Sequence, residues 1–278
     1  MQHINFSLVT LAVAVFPSAA LADGFAAGVV EYVPGTLTPN FENDLYDDPT
    51  AALGGLNPDA GGTLLTPFNP PFGTSDLVQI GVGGSLTLEL ASPARTSGLG
   101  LGIHAAVGLV DQDGDFANND AFTGDPAYTF DNDPLFGGGT RAANVSVSDD
   151  GQTFVSLGRV EFVLPSNVDA GATGPLDPPA SGDLVDPADV FQPFVADLQD
   201  FANRDFAGVL DLLDGSAGGT WLDLSGTGLA NVNFVRFDGV AAGERFYLDA
   251  VVSVSAVPEP ATLAASGLLV GLLLRRRR

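Results

Sequence analysis

Glycine and proline punctuate this chain so often that few helices fit between them. It contains 35 glycines and 19 prolines; in a helix interior each glycine costs about 1 kcal/mol and each proline about 3 kcal/mol relative to alanine. Turns between short strands use the same residues without that cost. The apolar residues in between repeat at period two, as in a strand with one buried face. Ser85 to Leu90 alternates so that Leu86, Leu88 and Leu90 point inward, and Arg159 to Leu164 does the same with Val160, Phe162 and Leu164. Phe246 to Val254 alternates through Phe246, Leu248, Ala250, Val252 and Val254.

Further strands are expected at Phe25 to Val33, Leu99 to Val110, Trp221 to Leu224 and Phe234 to Phe237. Asn144 to Ser148 and Thr153 to Leu157 flank Asp149-Asp150-Gly151-Gln152, whose Asp-Gly pair suits a tight primed turn, so a β-hairpin is predicted there. One region reads as helical. Phe191, Phe194, Val195, Leu198 and Phe201 recur at helical spacing, and Asp205 caps a second segment bearing Phe206, Val209, Leu210 and Leu213 before Gly215. Residues 34–76 and 165–187 are rich in turn-forming residues and read as loop and surface excursion. The expected class is therefore mainly β, a single β-sandwich with one short helical insertion.

Charge limits the partners. Removing Glu259 from the 34 acidic residues and the four terminal arginines from the 10 basic ones leaves 33 against six between residues 23 and 256, a net charge of −27. No lysine occurs anywhere. Such a field repels phosphate backbones, so nucleic acid is excluded as a partner, while divalent cations or simple solubility are favoured. With no cysteine, disulfides, thiolate metal sites and a thiol nucleophile are all excluded, leaving burial and bound cations to hold the fold.

Both ends carry addressing signals. Residues 1–22 read as a secretory signal peptide, with an apolar stretch from Phe6 to Phe16 and a small-x-small site at Ala20 and Ala22 before Asp23. That implies the Sec translocon and signal peptidase as partners, and a body spanning 23–256. At the other end, Val257-Pro258-Glu259-Pro260 precedes an uncharged apolar run, Ala261 to Leu274, and then Arg275, Arg276, Arg277 and Arg278. As a transmembrane helix the run reaches about 21 Å, short for a bilayer, and the arginines hold its end on the cytoplasmic side. Charge and hydropathy alone fit an ordinary membrane anchor equally well.

The order of Pro-Glu-Pro, apolar helix and arginine cluster over residues 257–278 resembles the PEP-CTERM sorting signal of Gram-negative bacteria that make extracellular polysaccharide. The resemblance implies a temporary anchor recognised by exosortase through Pro258, Glu259 and Pro260, retained by Arg275 to Arg278, and then removed. The protein would reach the cell surface or the exopolysaccharide matrix.

A second resemblance covers Gly83 to Val254. Ala143 to Gly151 with Phe154, Gly218 to Leu224, Phe234 to Phe237 and Leu248 to Val251 look like the β-rich ectodomain found on many PEP-CTERM proteins. It implies a jelly-roll sandwich of the galactose-binding type, with no assigned activity. Ile103-His104-Ala105-Ala106 replaces the usual aromatic and acidic segment.

Candidate chemistry is sparse. Asp111, Asp113, Asp115, Asn119 and Asp120 open an acidic loop running to Asp133, a set of oxygens suited to Ca2+. It is not an EF-hand, because Phe116 and Phe122 occupy the Gly and Glu positions, and a solvated turn fits the same composition. His104, the one histidine of the mature body, sits in an apolar run as a structural residue or as the base of a hydroxyl nucleophile. Arg236 and Asp249, both on expected strands, form a core ion pair or face a ligand groove. The leading expectation is a non-enzymatic surface or matrix protein. A calcium-dependent carbohydrate-binding module and a carboxylate glycosidase are the alternatives.

Overall fold

The computed structural model describes residues 24–40, 42–109, 141–174, 184–201 and 204–255. The signal-cleavage residues, the acidic loop from Asp111 to Asp133 and the C-terminal sorting segment lie outside the described residues. So does the apolar run expected as a transmembrane helix; among the described residues no helix is long and apolar enough to cross a membrane.

Eleven strands and one α-helix are described: β1 (Gly24–Val33), β2 (Asp59–Ala60), β3 (Thr63–Leu64), β4 (Val78–Ile80), β5 (Ser85–Ala94), β6 (Leu99–Ala105), β7 (Ala142–Ser148), β8 (Val155–Glu161), α1 (Phe206–Leu213), β9 (Thr220–Asp223), β10 (Val232–Asp238) and β11 (Phe246–Ser253). The fold is mainly β. Nine strands form one antiparallel sheet in the order β8-β7-β10-β5-β1-β11-β6-β9, with β4 also on β11, while β2 and β3 make a separate hairpin.

The sheet curls at β1. Gly24 and Phe25 pair with Ser253 and Val252 of β11; from Ala26 onward β1 pairs with β5 instead, with irregularities between Ala26 and Gly28 and between Val29 and Glu31. Such irregularities bend a strand and increase its twist. Consequently the β5-β10-β7 side and the β4-β11-β6 side close over one core. Leu86, Leu88, Val145, Val147, Val235 and Phe237 come from the first, and Val78, Ile80, Leu101, Ile103, Phe246 and Leu248 from the second. Phe162 stacks on Phe246 at 4.4 Å between ring centroids.

A second layer covers the back of β11, β6 and β9. α1 contributes Phe206, Val209 and Leu213, which pack with Trp221 of β9 and Val252 and Val254 of the β11 segment. Asp205 caps this helix by accepting from the Gly208 N–H at 2.8 Å, and Asp214 ends it in the left-handed conformation. Residues 34–77 supply a second part of the cover, where Tyr46 and Leu77 pack on Tyr247 and Ala106.

Several expectations are corrected. The helix expected through Phe191 to Phe201 is irregular, apart from a 3-10 turn at Leu198–Phe201. Pro193 lies inside it, lacking the N–H a helix needs and clashing with the preceding turn. The Asp149–Gly151 hairpin exists between β7 and β8, but its loop is wider than a two-residue primed turn. Asp150 gathers it by accepting from the Gln152 and Thr153 N–H groups. The strand expected at Arg159 is the end of β8 itself, carried past an irregularity at Gly158.

Residues 166–169 are buried, not a surface excursion. They bridge to Gly218 and to the 57–69 loops, with the Val168 N–H donating to the Leu65 carbonyl. β11 does not alternate between core and solvent. All eight of its residues are buried because both of its faces are covered.

Candidate functional site

The cover over β11 and β6 encloses polar groups that an alternating strand would have shown to water. Asp249 on β11 is 2 % exposed, and among the described residues its Oδ2 has no hydrogen-bond partner. Its carboxylate accepts from the Asn57 backbone N–H. Burial pushes its pKa well above the usual carboxylate value; the Asn57 bond opposes that shift and the nearby Asp76 carboxylate adds to it. Asn57 also reaches the second acid, since its Nδ2 donates to Asp76 Oδ1, which accepts from Ser75 Oγ at 2.8 Å as well.

His104 on β6 is fully buried, with Nδ1 2.9 Å from Ser166 Oγ and Nε2 without a partner among the described residues. Burial lowers its pKa from 6.5 to about 4. A glycine is required beside it: Gly219 has φ +76, and a Cβ there would lie 2.8 Å from both Cε1 and Nδ1 of the imidazole. This is the hydroxyl–imidazole contact that a nucleophile would use, but Ser166 is only 2 % exposed, so no substrate reaches the pair as it stands.

Arg236 and Asp249 are not an ion pair. They sit on strands that are not neighbours, with β5 and β1 between β10 and β11, so Arg236 lies on the opposite wall of the curl. Its Nε donates to Thr87 Oγ1 at 3.0 Å, its guanidinium carbon stands 4.0 Å from the Phe154 ring centre, and Nη2 is 3.7 Å from Glu31 Oε2. Register explains the placement, because Glu31 and Arg236 both pair with Thr87. The sequence marked Arg236 and Asp249 as unusual strand residues but carried no signal that Asn57, Asp76 or Ser166 would meet the buried groups.

One surface groove, of about 290 Å³, runs between the end of β8, residues 194–198 and β9. Phe194, Val195, Leu99 and Trp221 make it apolar, and Glu161, Asp197 and Thr220 supply its polar rim. The Trp221 ring packs against Gly102, where a Cβ would stand 2.9 Å from it, and its Nε1 donates to the Gly218 carbonyl.

Among the described residues no three acidic or histidine side chains converge as a metal-binding group. The described body is thus an acidic, loop-covered, curled antiparallel sheet with polar groups sealed beneath its cover. The address lies in the tail: residues 256–278 match the family described as the PEP-CTERM protein-sorting motif. The chain carries a PEP-CTERM protein-sorting motif, which implies an exported protein sorted by exosortase and anchored by its C-terminus before processing. No curated protein and no solved structure matches it.

Proposed function

We propose that this exported protein serves at the cell surface or in the extracellular matrix as a structural or interaction protein without catalytic activity. The sorting match over residues 256–278 carries the reading, since it implies export with exosortase as the processing partner. In the same reading, residues 1–22 are removed by signal peptidase after Sec export, exosortase cuts near Pro258-Glu259-Pro260, and the curled sheet is a sandwich of the jelly-roll, galactose-binding kind. The sealing of His104 and Ser166 supports a non-catalytic body. Intact mass of the protein recovered from cells and medium tests it. The expected mass begins at Asp23 and lacks Arg275 to Arg278; mature protein retaining those arginines refutes exosortase processing.

The groove at Trp221 favours a second reading, a carbohydrate-binding module. An apolar floor with a few polar rim groups is the usual lining of a small-ligand site, and calcium held by Asp111, Asp113, Asp115, Asn119 and Asp120 would steady the neighbouring chain. Titration with the producing cell's polysaccharide, using wild type and Val195→Glu, tests it. Val195 is 77 % exposed, so the variant folds. Equal binding by both proteins, or none by either, removes the groove from consideration. Hydrolysis of a glycan panel, lost in Glu161→Gln, would instead indicate a carboxylate glycosidase.

A further inference from the structure

Burying an ionised carboxylate costs several kcal/mol unless an opposite charge or a full set of hydrogen bonds compensates. Asp249 has one bond, from the Asn57 N–H, and no donor among the described residues reaches Oδ2. β4 runs antiparallel to β11 with Val78 opposite Leu248, which brings residues 76–77 alongside Asp249, and the Asn57 side-chain amide holds Asp76 there.

Among the described residues, both hydrogen bonds made to the Asp76 side chain go to Oδ1. Asp76 Oδ2 lies against the Gly73 backbone, where a Cβ would collide with it. Two hard anionic oxygens are thereby placed at one seam, one sealed and one half-exposed, in an exported body with a large excess of acids.

We propose that Asp249 and Asp76 together hold a divalent cation, calcium by chemistry, at the seam between β11 and the loops around residues 57 and 73–76. A cation turns the repulsion between the carboxylates into attraction and gives Asp249 Oδ2 its partner. Water completes the coordination, since calcium takes six to eight oxygens in flexible geometry. Asp76, on the exposed side, is the entry point. The site is distinct from the acidic loop at Asp111 to Asp133 and does not depend on the proposed role at the surface.

Thermal unfolding in millimolar calcium against chelator tests it on four proteins: wild type, Asp249→Asn, Asp76→Asn, and a loop variant with Asp113→Asn and Asp115→Asn. Calcium is expected to raise Tm by about 2–4 °C in wild type and in the loop variant, and to leave both site variants unmoved. In chelator, Asp249→Asn should melt no lower than wild type, because a neutral amide removes the buried charge and keeps the acceptor for Asn57. If Asp249→Asn does not fold, half-exposed Asp76→Asn carries the same comparison. No calcium shift in wild type, a shift retained by the site variants, or one lost only in the loop variant overturns the proposal.

Discussion

Acidification should unload a specific part of this fold through His104. In the folded protein burial holds its pKa at about 4, against 6.5 for an ordinary histidine. Above pH 6.5 the imidazole is neutral in both states and contributes no pH dependence. As pH falls between about 6.5 and 4, the unfolded chain takes up a proton that the folded chain refuses, so stability is lost through that window and levels off below it. At about 1.4 kcal/mol per pKa unit, the drop from 6.5 to about 4 corresponds to about 3 kcal/mol, or about 6–12 °C in Tm for a body of this size.

Urea unfolding of wild type and His104→Asn, at pH 7.5 and again at pH 4, measures this loss. The asparagine amide takes the position of Nδ1, 2.9 Å from Ser166 Oγ, and cannot titrate. It leaves a small cavity, so the variant is less stable at pH 7.5; by pH 4 the gap should close by about 3 kcal/mol. Asp249, whose strand neighbour Ala250 pairs with His104, shifts in the opposite sense. Its raised pKa contributes stability that is present at low pH and lost as pH rises through the folded value, and subtracting the variant removes this common background. A gap that is the same at both pH values would show that the imidazole is hydrated or protonated in the folded state, and the sealed site would be wrong.

Gly219→Ala combines a φ of +76 with a Cβ 2.8 Å from the imidazole, and should cost about 2 kcal/mol or more in urea unfolding; a neutral result would mean that the Gly218–Gly219 turn yields freely. Asp205→Ala removes the cap on the Gly208 N–H and should cost about 1 kcal/mol, with Asp205→Asn nearly neutral. Arg236→Lys keeps the charge but loses the planar stack on Phe154 and the bond to Thr87, a loss of about 0.5–1 kcal/mol at this half-exposed site. An unchanged urea midpoint for Arg236→Lys would mean that these outer-face contacts contribute no net stability.

Much of this protein was determined by local sequence. Leu86, Leu88 and Leu90 point to the core because period two on a strand leaves them no other common face. The Asp205 cap and the stop at Gly215 follow from backbone groups that need partners within one turn. The sorting motif is legible for the same reason, since Pro-Glu-Pro, apolar run and arginines are read in linear order. Tertiary structure alone decided the rest. The alternation in β11 sets Tyr247 and Asp249 opposite Phe246 and Leu248, on the face that a two-layered sandwich would show to water. What covers that face is a segment from residues 34–77, which carries no periodicity and lies far away in the chain. His104 is sealed by Ser166 and Gly219, and Arg236 is matched to Glu31 and Phe154 by strand register. Burial and pairing are set by which distant segment covers a face, and that depends on the curled sheet, whose bend at β1 joins the first strand to the last.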